Sequence, residues 1–153
     1  MATFYVLAAR NDELLRWAEA NGPPASGNAT VDAAPVSRLP SVAEVKRVLG
    51  AIVTHDSTYI PNTDRRGIDV ELNSRRGDGQ GTAACLLITH RSDGNTIEDL
   101  TFHESDSELA VEIVKRFTLM CGPLVLLEEE SDAPCVVHPR TDVADTVENW
   151  LRS

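Results

Sequence analysis

Alternation of hydrophobic and polar positions is clearest in IDVELN (68–73), where every second residue is apolar, as in a strand with one buried face. TFYVLAA (3–9) has the β-branched and aromatic residues that are typical of a strand. LVLLE (124–128) begins with four apolar residues, so we expect a central strand that is buried on both faces. CVVH (135–138) follows after a loop and is predicted to pair with it as a hairpin.

A second hairpin is predicted from AACLLITH (83–90) and IEDLTFH (97–103), which flank the segment RSDGNT. Asp93-Gly94 at the centre of that segment is a strong signal for a two-residue turn. The register set by such a turn places Cys85 opposite Phe102, Leu87 opposite Leu100 and His90 opposite Ile97. The first two pairs would then share one face of the hairpin and belong to the core.

Four helices are predicted from apolar residues at helical spacing that follow a capping residue. Ser41 and Ser105 each precede a glutamate by three residues, the capping-box pattern that satisfies two free backbone N–H groups. Gly122-Pro123 is a stop signal for the longest helix. The predicted helices cover residues 11–21, 42–50, 106–121 and 142–151, with Asn11 as the first cap and Thr141 or Asp142 as the last.

Most of the remaining segments are predicted to be loops. Residues 22–40 contain four prolines and two glycines, a composition typical of a loop or linker. Residues 51–55 are predicted as a short strand and residues 56–66 as a loop. The resulting order of elements, with its adjacent hairpins, predicts a single α+β domain over residues 1–153, with a mainly antiparallel sheet and helices packed on one face.

The composition limits the classes of protein to which the chain can belong. Its 42% hydrophobic and 25% charged residues are ordinary for a globular domain, and no run of about 18 apolar residues could span a membrane. Three cysteines are too few for a secreted disulfide framework, so we expect a cytoplasmic protein. Arginine outnumbers lysine twelve to two, which indicates a GC-rich, bacterial coding sequence.

The net charge of −10 is concentrated in the last third of the chain. Residues 1–97 contain 11 acidic and 10 basic residues, whereas residues 98–153 contain 13 acidic and 4 basic residues. Such a charge repels nucleic acids and anionic membranes and attracts basic proteins. We therefore expect a basic protein partner, with solubility as the simpler explanation of the same charge.

Two acidic segments carry much of this charge, one at the start of the longest helix and one after the apolar run 124–128. Charge complementarity accelerates and orients protein association, so these segments are the predicted partner-binding surface. The predicted partner-binding residues are Glu104, Asp106, Glu108, Glu128, Glu129, Glu130 and Asp132.

No catalytic or metal-binding constellation is recognisable, and no cofactor is predicted. Cys121 lies at the C-terminus of a predicted helix, where the helix dipole does not lower the pKa of a thiol. Cys135 follows four acidic residues, which are expected to raise its pKa. Neither cysteine spacing nor the position of His138 matches a zinc site, so both cysteines are interpreted as core residues.

An alternative is a small enzyme or an anion- or ligand-binding domain. His103 and Glu104 precede the longest helix and could contribute to such a site. Four arginines flank the strand 68–73 and would complete it if they met at one edge of the sheet, namely Arg65, Arg66, Arg75 and Arg76. A homodimer that forms through an edge strand is a further alternative for the assembly.

The hairpin LLITHRSDGNTIEDLTF (86–102), the helix-to-strand turn MCGPLVLLEEE (120–130) and the acidic last third resemble, in general character, the immunity proteins of bacterial toxin–immunity systems. Those proteins are small and acidic, and they lack catalytic motifs. The resemblance implies a cognate toxin that is neutralised by stoichiometric binding. Immunity families differ widely in fold, so no individual binding residue is carried over.

Overall fold

The computed structural model describes residues 1–9, 12–23, 37–76 and 82–151. Within these residues, seven strands form one antiparallel sheet that is accompanied by four helices. The elements are β1 (Ala2–Ala8), α1 (Asp12–Asn21), α2 (Val42–Gly50), β2 (His55–Asn62), β3 (Gly67–Ser74), β4 (Ala84–His90), β5 (Ile97–Ser105), α3 (Ser107–Cys121), β6 (Leu124–Glu128), β7 (Pro134–Val137) and α4 (Val143–Leu151). The predicted α+β fold with a mainly antiparallel sheet is confirmed.

The strands are ordered β2-β3-β4-β5-β1-β6-β7 across the sheet. β1 is first in the chain but lies inside the sheet, between β5 and β6. Because every pair is antiparallel, strand starts and strand ends alternate along each end of the sheet. We call the lower end the one at which β1, β2, β4 and β7 begin and β3, β5 and β6 end.

The main core lies between one face of the sheet and helices α2, α3 and α4. Its largest fully buried side chains include Phe4, Phe102 and Phe117. Val125 is fully buried outside that cluster, which confirms that β6 is buried on both faces. Helix α1 packs against β7, and its buried residues also lie outside the main cluster. No helix in the described ranges is long and apolar enough to cross a membrane.

The β4–β5 hairpin is shifted by one residue from the predicted register. His90 pairs with Ile97 as predicted, but the ladder then shifts, and Leu86 pairs with Phe102 and Ile88 with Leu100. A one-residue shift exchanges the two faces of a strand. Leu86 and Ile88 are therefore the core residues, and the prediction that Cys85 and Leu87 face the core with Leu100 and Phe102 is wrong.

The turn of this hairpin keeps the predicted register, and the shift arises beyond it, between Thr89 and His90. The N–H of Arg91 donates to the carbonyl of Thr96 (2.8 Å), so the loop is longer than the predicted two residues. The carboxylate of Asp93 accepts from the backbone N–H groups of Asn95 and Thr96, each at 2.8 Å. A hydrogen bond from the Thr96 hydroxyl, followed by these two backbone bonds, lowers the pKa of Asp93 to about 2. The register irregularity that follows at the start of β5 then changes the pairing.

The predicted secondary structure of the segment before β3 is also wrong. Residues 51–54 form a turn rather than a strand, and the predicted loop at 56–66 contains most of β2. The sequence of β2, HDSTYIPN, is mostly polar because the strand lies at the edge of the described sheet and pairs with β3 alone. Most of the predicted loop at 22–40 lies outside the described residues.

Candidate functional site

The lower end of the sheet brings the two predicted acidic segments close together. The hydroxyl oxygen of Thr3 accepts a hydrogen bond from the N–H of Glu104 (3.1 Å), and its carbonyl accepts one from the N–H of Glu129 (3.0 Å). β5 and β6 therefore end on opposite sides of β1. Strands that are separated by one intervening strand lie about 10 Å apart, so the two segments share one end of the molecule.

Glu104 has an unusual backbone conformation for a residue with a side chain. Its φ of 45° lies in the left-handed region, which favours glycine. The cause is a register shift between β1 and β5, in which Phe4 pairs with Phe102 but Ala2 pairs with Ser105. β5 thus carries an extra residue at this point. The side chain of Glu104 is exposed.

Two further acids belong to the start of α3. Asp106 is the N-cap of this helix, since its carboxylate accepts from the N–H of Leu109 (2.9 Å). Glu108 lies in the first turn, where the helix dipole favours negative charge. Ser105 is not the cap, as the sequence predicted, because its buried hydroxyl instead accepts from the N–H of Cys85 (3.1 Å). Helix stability therefore accounts for part of the charge in this segment.

Glu128 differs from the other predicted partner-binding residues. Its side chain is only 9% exposed, and one carboxylate oxygen accepts from the N–H of Glu130 (2.9 Å). Glu128 lies opposite Phe4 in the ladder between β1 and β6. Its side chain therefore lies on the same face of the sheet as that of Phe4, which is the face that covers the core. Glu128 thus stabilises the turn after β6 rather than contributing to the surface, which corrects its predicted role.

We call the six remaining residues the acidic rim. All six are exposed: Glu104, Asp106, Glu108, Glu129, Glu130 and Asp132. Among the described residues, none of them forms an ion pair, whereas other acids do, such as Glu44 with Arg38 and Asp69 with Arg65. The negative charge of the acidic rim is therefore not neutralised within the described structure.

The four arginines of the alternative site do not meet. Arg65 and Arg66 lie in the β2–β3 turn at the upper end of the sheet, and Arg75 and Arg76 follow β3 at the lower end. The intervening strand of eight residues spans about 25 Å. Arg65 donates to Asp69 and Arg75 to Asp56, each at 2.7 Å. The prediction that the four arginines meet at one edge of the sheet is therefore wrong.

Cys121 and Cys135 are buried core residues, as predicted. Burial raises the pKa of Cys121 to about 11 and that of Cys135 to about 12, so both thiols stay protonated at neutral pH. For Cys135 the cause is burial and not the acidic neighbours that the sequence suggested. Within the described parts of the chain, no group of His, Cys, Asp and Glu is placed to hold a metal ion.

A groove that the sequence did not indicate lies at the upper end of the sheet. It has a volume of about 580 Å³ and is lined by the end of β1, residues 37–41 and residues 96–99. Arg38 lines it but donates to both carboxylate oxygens of Glu44. No buried side-chain nitrogen or oxygen in the described residues lacks a hydrogen-bond partner, so no such atom is left unpaired in the groove.

No family model, curated protein or solved structure matches this chain. The fold and the site define an antiparallel α+β protein that has protonated, buried thiols and an exposed acidic surface at one end of its sheet.

Proposed function

We propose that this protein is a non-catalytic binding domain of the immunity or inhibitor type, and that its acidic rim binds a basic protein partner. The observation that carries the proposal is the convergence of two acidic segments, distant in sequence, beside Thr3 at the start of β1. Their charge is exposed and unpaired within the described residues. A concentrated surface charge of this kind steers an oppositely charged partner and increases its association rate.

The chemistry of the rest of the molecule supports a binding function over catalysis. The thiols of Cys121 and Cys135 are buried and protonated, and the arginines of the alternative site lie at opposite ends of β3. A basic bacterial toxin, held in a stoichiometric complex, is the partner that fits this proposal best. The proposal includes a cytoplasmic location, which the three free cysteines support.

The test compares two variants that lose the same number of negative charges at opposite ends of the sheet. The rim variant carries Glu108→Gln, Glu129→Gln and Glu130→Gln, and leaves the helix cap Asp106 intact. The control carries Asp64→Asn, Glu98→Gln and Asp99→Asn, which are exposed residues at the upper end. Each variant and the unmodified protein serve as bait in lysate of the source organism at about 50 mM and about 500 mM salt, because salt screens charge attraction.

We expect the unmodified protein and the control to retain one basic protein in stoichiometric amount at low salt, and the rim variant to lose it. With that partner purified, stopped-flow association should be at least about tenfold slower for the rim variant and less dependent on salt. Equal association rates for the rim and control variants would refute the role of the acidic rim. A bait that retains no basic protein would refute the proposed function.

A further inference from the structure

The outer edge of β2 is an unpaired strand edge. Within the residues that the structure describes, β2 pairs with β3 and no strand lies on its other side. The N–H of Arg75 donates to the carbonyl of Thr54 (3.0 Å), so the even-numbered residues of β2 direct their backbone groups toward β3. The odd-numbered residues therefore direct theirs outward. Pro61, which has no N–H to donate, is odd-numbered, as expected for proline on an edge strand.

The middle of this edge lacks the features that usually prevent edge pairing. Charged side chains, prolines and bulges are the common obstacles. In β2, Asp56 and Pro61 lie near the two ends, and residues 57–60 are uncharged. Ile60 is 42% exposed, and Val53, two residues before the strand, is 73% exposed. Two apolar side chains thus remain in contact with water near the free backbone donors and acceptors of this edge.

We propose that β2 pairs with β2 of a second copy, which joins the two sheets across a twofold axis at Thr58. In this antiparallel register, Ser57 lies opposite Tyr59 of the second copy, and His55 lies opposite Pro61. The outward N–H groups of His55, Ser57 and Tyr59 then each meet an outward carbonyl. Shifting the register by two residues in either direction would pair an outward residue with one beyond the strand, so only this register pairs all four outward residues of β2 with one another.

Proline fits this register at little cost. Pro61 falls opposite His55 at the end of the ladder, where its missing N–H leaves one carbonyl to be solvated by water. The side chains are also compatible, because the register opposes no two like charges. Asp56 falls opposite Ile60 of the second copy and is already paired with Arg75 (2.7 Å). Thr58 falls opposite Thr58, a pair that is favourable between antiparallel strands.

A groove beside β2 provides space for the second copy. It has a volume of about 450 Å³ and lies between the end of α2 and the core-side residues of β2, including Ser57 and Tyr59. In the proposed register, Tyr59 of the second copy falls opposite Ser57 and can occupy this groove. Val53 would be covered by the β2–β3 turn of the second copy. Interfaces smaller than about 1,200 Å² form weak complexes, so a micromolar dissociation constant is expected for one strand pair.

Sedimentation velocity between about 2 µM and about 500 µM tests the dimer, because association depends on concentration. The unmodified protein should change from monomer to dimer across this range. Thr58→Lys opposes two like charges at the axis, and Ser57→Pro removes an outward N–H that the monomer does not use. Both variants should stay monomeric, whereas the matched controls Thr58→Ser and Ser57→Ala should dimerise.

Amide hydrogen exchange identifies the register. At low concentration the amides of His55, Ser57 and Tyr59 should exchange fast, and those of Asp56, Thr58 and Ile60 slowly, because only the latter pair with β3. At high concentration the first three should become protected in the unmodified protein and not in Thr58→Lys. A chain that stays monomeric with unchanged exchange would overturn the inference. A dimer that persists in both Thr58→Lys and Ser57→Pro would also overturn it, since that dimer uses another surface.

Discussion

His138 is a residue whose ionisation is tied to the folded state. Its side chain is buried after β7, and its Nδ1 accepts from the N–H of Arg140 (3.2 Å). Burial lowers its pKa, and the positive charges of Lys115 and Arg140 act in the same direction. Protonation would turn the accepting nitrogen into a donor and break this bond.

The sign of the pH dependence follows from this pKa. The unfolded chain binds a proton at His138 at an ordinary pKa of about 6.5, whereas the folded chain binds it only at lower pH. Because the unfolded state takes up more protons, the free energy of unfolding should decrease as the pH falls below about 7. Urea unfolding at pH values from about 7.5 to about 5.5 measures this decrease.

His138→Asn is the matched variant, since its side-chain oxygen can accept from Arg140 but cannot titrate. We expect the free energy of unfolding of this variant to depend less on pH over the same interval. His55, His90 and His103 are unchanged and contribute equally in both proteins. Identical pH dependences for the variant and the unmodified protein would show that His138 is not the group responsible.

Glu104 offers a second prediction at the scale of one residue. Its left-handed backbone (φ 45°) costs about 1 kcal/mol in a residue with a Cβ atom, and glycine avoids that cost. Glu104→Gly should therefore raise the free energy of unfolding by up to about 1 kcal/mol, as measured by urea unfolding. Glu104→Ala is the control, because it removes the same charge and keeps the Cβ atom. Equal effects of the two substitutions would contradict a backbone cause.

Helix α2 shows how a local sequence signal determines an element. Ser41 accepts from the N–H of Glu44 (3.2 Å), and the carboxylate of Glu44 accepts from the N–H of Ser41 (2.9 Å), so the predicted capping box is confirmed. Hydrogen bonds from Arg38 are the main reason that the pKa of Glu44 falls to about 2. The carboxylate of Glu44 in this cap is thus fully ionised at neutral pH.

Replacing the capping serine should lower the free energy of unfolding by more than replacing an exposed serine in a turn. Ser41→Ala leaves the N–H of Glu44 without its acceptor and should lower the free energy of unfolding by about 1 kcal/mol. Ser92→Ala changes an exposed serine in the β4–β5 turn and should alter it by about 0.5 kcal/mol or less. Thermal or urea unfolding measures both, and equal effects would contradict a stabilising role of the cap.

The elements that the sequence predicts well are those whose signals are local. Capping residues and apolar spacing define α2 and α3, and strict alternation defines β3 with Val70 and Leu72 fully buried. The register of β4 and β5 was not predictable, because it depends on an irregularity in the ladder that alternation does not encode. β2 was missed because an edge strand can be polar on both faces.

The candidate site was likewise predictable only where its features depend on local sequence. Sequence alone identifies the two acidic segments, but their convergence depends on the insertion of β1 between β5 and β6, which no local pattern indicates. The burial of Glu128 depends on its alternation with Leu124 and Leu126 on the core face of β6, which its position in a run of acids obscures. The prediction that four arginines meet is wrong because the whole of β3 separates the two pairs.

At the scale of the whole molecule, β1 holds the two parts of the sheet together. β2, β3, β4 and β5 lie on one side of it, and β6 and β7 on the other. The strand is first in the chain, yet both of its neighbours come from the second half, so its pairing needs contacts that are distant in sequence. The acidic rim depends on the same insertion, because β1 separates and positions the ends of β5 and β6.

Phe4 should therefore be among the positions where substitution most affects the stability of the whole fold. Its ring is fully buried and lies 5.7 Å from the ring of Trp150 in α4, so it connects β1 to the last helix. Phe4→Ala should lower the free energy of unfolding by about 3–5 kcal/mol. Its neighbour Tyr5 belongs to the same strand but is 41% exposed on the other face, and Tyr5→Ala should cost about 1 kcal/mol or less. Urea unfolding of the two variants measures the difference, and similar losses would mean that β1 does not join the sheet to the core through Phe4.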